Sequence, residues 1–449
     1  MVSTRPTYRA YSTQTFHKIE QLQKLPPSDK TAIDIVSRVL PFKVNSYVLD
    51  NLIDWDNYKD DPIFHLVFPQ KAMLSDEHFH RVERLLSSGA PDAVLREEVM
   101  RIRYELNPHP SAQLKNIPVV GGEQLRGVQH KYRETVLFFP SHGQTCHAYC
   151  TFCFRWPQFV GMNDIKFASS EIDALTSYLR SREDVTDVLF TGGDPLIMRT
   201  KILERYIEPL LSDDLSHVKT IRIGTKALGY WPHRFTSDDD AEDLLRLFER
   251  IVKSGKNLSI MAHFNHPAEL MPDAQREAAR AVRATGAQIR TQSPVLRHIN
   301  NDPSVWATMW REQVNQNMIP YYMFVERDTG PKKYFEMPLI DAWSIFQKAY
   351  QQVSGVCRTV RGPVMSAAPG KVQILGEADV AGQRTIAMRF LQGRKPDWVA
   401  RPFFAEYTSN ATWLDQLKPA FGASKFFYED ELSQVLDGST QDEEFFAFE

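Results

Sequence analysis

Apolar positions recur at helical spacing in three stretches near the start of the chain, 28–40, 75–89 and 91–106. Ser28-Asp29 opens the first, and Ser75-Asp76-Glu77 caps the second, which stops at Gly89. A Pro- and Gly-rich connector over 107–127 then predicts a boundary. Beyond it the period changes. Short apolar runs at 135–139, 188–190, 220–223, 258–261, 288–290 and 321–325 alternate with helical stretches, six βα units in all. Such units predict right-handed crossovers and a parallel sheet, closed or partial. Residues 384–391 predict one further strand, and the acidic end QDEEFFAFE a tail. The expected organisation is an N-terminal helical segment over 1–127, a barrel over 128–376 and a C-terminal extension over 377–449.

Composition narrows the function classes. With 53 basic and 56 acidic residues scattered along 449 positions, no field is strong enough to attract nucleic acid. No run approaches the ~18 apolar residues of a membrane span, and MVSTRPTYRA lacks the apolar core of a secretory signal. A soluble cytoplasmic protein is expected. Arg5, Arg9 and the Ser/Thr residues around them keep an organelle as the alternative, weakened by Asp29 and Asp34.

Three of the four cysteines change the picture, because Cys146, Cys150 and Cys153 fall within eight residues directly after the first predicted strand and its loop. That is metal-site usage in a reducing compartment rather than a disulfide framework. Three soft thiolates leave one iron of a cubane cluster open for chemistry, whereas structural zinc wants a closed shell. The alternatives are zinc completed by His147 or Cys357, or cysteines packed in a core. In parallel βα folds the loops leaving the C-terminal strand ends carry the chemistry. Thr191-Gly192-Gly193-Asp194-Pro195 falls just after the second run, where glycines let backbone approach a ligand closely.

On these two motifs the chain resembles the radical S-adenosylmethionine (SAM) superfamily, which implies a partial (β/α)6 barrel and a [4Fe-4S] cluster on the three cysteines. More specifically it resembles the lysine 2,3-aminomutase family over roughly 19–376. The matching stretches are Asp61-Pro62-Ile63-Phe64, His130-Lys131-Tyr132, LFTGGDPL, His263-Phe264-Asn265-His266-Pro267, Thr291-Gln292 with Leu296-Arg297, Pro320-Tyr321-Tyr322 and Pro369-Gly370-Lys371. The resemblance implies that Lys371 carries pyridoxal 5'-phosphate (PLP), a task for a desolvated neutral amine. It implies that Lys131, with Arg133 close by, meets the PLP phosphate. Gly192, Gly193, Asp194, His263 and Gln292 would meet SAM, and Arg155 would grip the substrate carboxylate. His266 is expected to pack rather than to bind.

The implied reaction is a 2,3-amino migration. Reductive cleavage of SAM yields a 5′-deoxyadenosyl radical that takes the β-hydrogen of a PLP-bound amino acid, and the nitrogen moves from the α to the β carbon. The implied partners are a small amino acid and an electron donor such as flavodoxin or ferredoxin, within a homo-oligomer. The chain also departs from the lysine-specific pattern. Arg327 and Ser366 stand where that pattern has two aspartates, Asp328 reaching the first place only by a one-residue slip. Asn107 replaces the acid that partners the carboxylate-binding arginine, and Cys357 stands alone. Arg327 therefore predicts an acidic or polar substrate, glutamate first. Competing readings are another radical SAM reaction, including one on a protein lysine, or a structural iron-sulfur or zinc protein.

Overall fold

The computed structural model describes residues 6–107, 116–162 and 168–437. The acidic tail expected at 441–449, the connector residues 108–115 and Arg5 lie outside the described residues.

Three longer helices lead the chain, α1 (Pro27–Val39), α2 (Asp76–Ser87) and α3 (Asp92–Glu105), with two short ones, Ser46–Asn51 and Pro62–Val67, between the first two. The Ser75 Oγ accepts from the His78 amide at 3.1 Å, and Gly89 leaves α2 at φ +64°, as the spacing predicted. Then comes one continuous sheet of eleven strands: β1 (Val128–Tyr132), β2 (Thr135–Phe138), β3 (Asp187–Phe190), β4 (Thr220–Thr225), β5 (Asn257–His263), β6 (Gln288–Val295), β7 (Ile319–Val325), β8 (Arg361–Ser366), β9 (Gly370–Val380), β10 (Gln383–Gly393) and β11 (Pro402–Glu406). The strands lie in chain order across the sheet, with β1 and β11 at the two edges, so among the described residues no ladder closes the barrel.

Strands β2 to β8 run parallel to one another, whereas the edge strand β1 is antiparallel to β2. The six predicted runs are β2 to β7. The seventh, β8, was not anticipated, because Arg361-Gly362-Pro363 reads as a turn. There a Cβ on Gly362 would stand 2.8 Å from the Met323 carbonyl oxygen, so the strand can approach β7 only with glycine. Amphipathic crossover helices α4 (Ile172–Arg180), α5 (Thr200–Ile207), α6 (Ala241–Lys253), α7 (Asp273–Ala284), α8 (Pro303–Asn315) and α9 (Leu339–Gln351) bury their apolar faces against the sheet, with Phe190, Ile223, Leu247, Ile260 and Trp306 fully enclosed.

The outer segments differ from expectation in how they join. The N-terminal helices cap the C-terminal strand ends, where Val36, Phe64, Leu66 and Ile102 share one apolar cluster with Phe152, Trp156 and Tyr230. The expected boundary at 376 falls inside β9, at a bulge where Gly376 sits at φ +136° against the Trp343 ring. The extension therefore continues the sheet through antiparallel β9, β10 and β11, with its own core around Trp398, Phe390 and Phe403. Among the described residues no helix is long and apolar enough to cross a membrane.

Candidate active site

The cysteine loop leaves the end of β2 and is held mainly by the N-terminal segment. Lys43 Nζ donates to the Cys146 carbonyl at 2.7 Å, and the Tyr149 amide donates to the Lys43 carbonyl at 2.8 Å. Asn45 Nδ2 donates to the carbonyls of His147 (3.2 Å) and Tyr230 (2.9 Å), the Tyr8 hydroxyl donates to the His147 carbonyl (2.8 Å), and the Thr151 hydroxyl to the His65 carbonyl (2.7 Å). A loop with no secondary structure of its own is thereby fixed on all sides.

None of the three cysteines is in a disulfide. Burial, with the neighbouring thiols, pushes Cys146 up and Cys153 up to about 12, and burial pushes Cys150 up to about 11. Such thiols gain most from ligating cationic iron, and three soft sulfurs without a fourth fit a cubane with one open corner. Zinc fits less well. His147 Nδ1 faces Asp194 at 3.9 Å, and Cys357 lies in the barrel core beside Val353 and Val360, before the start of β8. Among the described residues no three His, Cys, Asp or Glu side chains converge on a single-ion site.

The glycine pair after β3 packs against the residues that lead into the cysteine loop. A Cβ on Gly193 would lie 2.5 Å from the Thr145 backbone, and one on Gly192 would strike the Gln144 side chain. The Asp194 carboxylate is occupied internally, accepting from the Leu196 amide (2.9 Å), the Thr225 hydroxyl (2.8 Å) and the Lys226 amide (2.9 Å). Burial alone would raise its pKa; His147 and these donors outweigh burial and hold it below the ordinary carboxylate range. Asp194 thus ties the loops after β2, β3 and β4 together.

His263 and Gln292 stand side by side in register on β5 and β6. Burial, with Lys226 beside it, pushes the His263 imidazole well down, so it is neutral. Its ring edge meets Phe152 of the cysteine loop at 5.7 Å between centroids. His266 instead accepts from the Ala268 amide at 3.3 Å, a capping role. Lys226 went unnoticed in the sequence, although it directly follows β4. Its ammonium binds the fully buried Glu269 (2.5 Å) and Asn265 (2.9 Å), fixing the loop after β5.

Lys371 is not in a turn but opens β9, paired with Ser366 of β8. Its Nζ lies 4.8 Å from the Tyr322 ring centroid and 5.6 Å from that of Tyr132. Burial, with Arg222 and Arg361 nearby and Asp187 opposing them, pushes the amine down to about 7. Lys131 reaches the Ala367 carbonyl across the open side of the barrel, and burial with Arg394, Arg327 and Lys371 pushes it well down. Arg394, also missed in the sequence, donates to the Ala368 carbonyl at 2.9 Å. Like charges gathered around an amine of this kind fit a phosphate-bearing aldehyde cofactor. Arg133 lines a cavity together with Tyr132, Asp187 and Arg394, on the Arg394 side of this group.

Arg155 follows the last cysteine by two residues and is buried, with Nη1 lacking any hydrogen-bond acceptor among the described residues. Burial lowers it to about 10. Its guanidinium lies 4.4 Å from the Phe139 centroid and 5.0 Å from that of Phe154. Arg327, just past β7, lies 5.2 Å from the same Phe154 ring and 5.8 Å from Trp413. Its Nε also lacks an acceptor, with Asp328 at 3.9 Å. Two enclosed guanidiniums thus share one phenyl ring. Arg327, Lys131 and Ser366 share a cavity of about 440 Å³ whose outer wall, including Trp413 and Leu417, comes from the C-terminal extension. Asn107 does not reach Arg155; it accepts from the Thr329 hydroxyl, which in turn accepts from Trp156 Nε1. Glu326, a further residue not singled out by sequence, is enclosed near Cys153, and burial pushes its carboxyl well above the usual range.

Comparison with known proteins gives no matching family model. The chain is 31% identical over 395 residues, 88% of its length and 92% of the other's, to a protein of Aquifex aeolicus named "Putative L-lysine 2,3-aminomutase". It is 29% identical over 211 residues to the glutamate 2,3-aminomutase of Clostridioides difficile, covering 47% of each chain. Among solved structures, a radical SAM methyltransferase from Sphaerobacter thermophilus overlaps 65% of this chain and 94% of its own, at 14% identity and a TM-score of 0.37.

Proposed function

The chain belongs to the lysine 2,3-aminomutase family of radical SAM enzymes, and from that premise we propose that it moves the α-amino group of a free dicarboxylic α-amino acid, glutamate first, to the β carbon. The observation that carries the substrate assignment is the pair of enclosed guanidiniums, Arg155 and Arg327, on the Phe154 ring. A single carboxylate satisfies one of them. A substrate with a second carboxylate satisfies both, and a cationic side chain would be repelled at Arg327.

In this reading Cys146, Cys150 and Cys153 hold the cluster, and His263, Gln292 and the Gly192-Gly193 backbone face SAM. Lys371 holds PLP, with Lys131 and Arg394 toward its phosphate and Ser366 across the hairpin. When bound, these groups supply a hydrogen-abstracting carbon radical and a π system that delocalises the unpaired electron during nitrogen migration. The protein's own residues do the rest. Arg155 fixes the α-carboxylate and so aims the β carbon. The Lys371 amine is half neutral near pH 7, able to bind the cofactor and to release it to the substrate amine. The N-terminal helices and the wall containing Trp413 exclude water from a radical site.

The test is an anaerobic incubation of reconstituted protein with SAM, PLP, a reductant and a pool of standard α-amino acids, scored for β-isomers by chromatography and mass. β-Glutamate as the sole new isomer is expected. β-Lysine instead would overturn the substrate assignment, and SAM cleavage without any isomer would overturn the aminomutase reading for these substrates.

A further inference from the structure

A cavity of about 620 Å³ opens between α1, α3 and the cysteine loop, on the side of that loop facing away from the barrel. Its lining includes Arg38, Arg96 and Arg103 and, among the described residues, no carboxylate, although the whole chain carries a formal charge of −3. Arg103 is built in: Nε, Nη1 and Nη2 donate to the carbonyls of Val39 (2.9 Å), Val160 (2.9 Å) and Arg38 (2.8 Å). With no anion against it, burial lowers its pKa to about 10. Arg38 shares a charge with Asp34 at 3.0 Å and keeps a buried Nε without an acceptor, and Arg96 is exposed.

The inner wall is the Tyr149 ring, stacked on Phe159 with centroids 4.6 Å apart and planes 12° off parallel. Tyr149 lies between Cys146 and Cys150, whereas Phe152, further along the same loop, faces His263 on the barrel side. The two faces of the loop are therefore different. One meets the reacting space, and the other meets a cationic, aromatic-floored opening to solvent.

We propose that this opening is the docking and electron-delivery site for a small acidic one-electron carrier protein, with Tyr149 and Phe159 between the docked carrier and the cysteine loop. The inference rests on the reading that Cys146, Cys150 and Cys153 hold the cluster. One electron leaves the reduced carrier, which is oxidised by one, and arrives at the cluster, which is reduced by one; no proton or group moves. Electropositive openings attract acidic partners and raise association rates in a salt-dependent way. The carrier thus delivers its electron without entering the space that must exclude water.

The test uses the holoprotein and reduced flavodoxin as the probe, with iron and sulfide measured first. Binding is titrated at low and high salt, and cluster reduction is followed by absorbance bleaching. Arg38→Glu with Arg96→Glu is expected to weaken flavodoxin binding at least tenfold at low salt and to flatten its salt response. Reduction by flavodoxin should slow in parallel, while dithionite reduces the variant at the wild-type rate. Arg96→Glu alone, at an exposed residue with no ion pair among the described residues, should weaken binding at least threefold. Wild-type affinity and salt response in both variants, with iron present, would overturn the proposal. Absence of iron from the wild-type protein would instead overturn the cluster reading beneath it.

Discussion

The Lys371 amine should titrate near neutrality in the PLP-free protein. An ordinary lysine at 10.5 is neutral in only about one molecule in 3,000 at pH 7, whereas at about 7 half the molecules are neutral, a gain of roughly 1,500-fold in nucleophile. The measurement is the initial rate at which PLP becomes attached to Lys371, trapped with borohydride and counted on the peptide by mass, between pH 6 and 10. The rate should rise to about pH 7 and then level, about 90% of its ceiling being reached at pH 8. Linkage gives a second readout. The folded pKa is depressed, so between about 7 and 10.5 the unfolded chain binds the extra proton, and apoprotein stability rises with pH across that window. At pH 7 the enclosed amine costs the apoprotein at most about 4 kcal/mol, so Lys371→Met should stabilise it by about 2–4 kcal/mol while abolishing attachment. Arg222 lowers the amine and also pairs with Asp187 at 2.8 Å. Arg222→Met therefore removes a repelling charge and frees an attracting one, moving the rate plateau to higher pH. An attachment rate that climbs tenfold per unit all the way to pH 10 would refute the reasoning.

Three more outcomes follow from individual contacts. Arg155→Lys cannot reproduce the planar fork, and kcat/KM should fall by about 30-fold to 1,000-fold, roughly 2–4 kcal/mol, in steady-state assays. Replacing any one of Cys146, Cys150 and Cys153 with Ser should abolish iron and sulfide retention, whereas Cys357→Ser should keep both and lower unfolding stability by about 1–2 kcal/mol, because Cys357 is only 4% exposed in the barrel core. Asn45→Ala removes the amide that donates to the His147 carbonyl of the cysteine loop and to the Tyr230 carbonyl, and the side-chain acceptor for the Val48 amide at 3.0 Å. Urea unfolding should register about 2–4 kcal/mol, with faster iron loss to a chelator than in the wild type.

The sequence exposed what depends on period and local chemistry, and it hid what depends on closure. Each of the six predicted runs is a short apolar stretch set between helical ones, so β2 to β7 were readable from that succession. Strand β8 was hidden because Gly362-Pro363 imitates a turn, and the glycine's reason, contact with the Met323 backbone, exists only once β7 is beside it. Lys371 was readable as a reactive amine only through its motif, since the groups that depress it, Arg222 and Arg361, lie far from it in the chain or on the preceding strand. The same holds for the cavity beside Arg327. Arg327 was visible as a departure from a pattern, but Arg327, Phe154, which lies beside both arginines, and Trp413, which walls the cavity, come from three separate parts of the chain. Trp413 lies in the extension that the sequence set apart from the barrel, and the continuity of β8 through β11 is what returns it to the site. A variant truncated after β11, which keeps Arg394 and removes Trp413, should therefore lose selectivity between glutamate and other amino acids before it loses the cluster, because the cysteine loop is anchored by the opposite end of the chain.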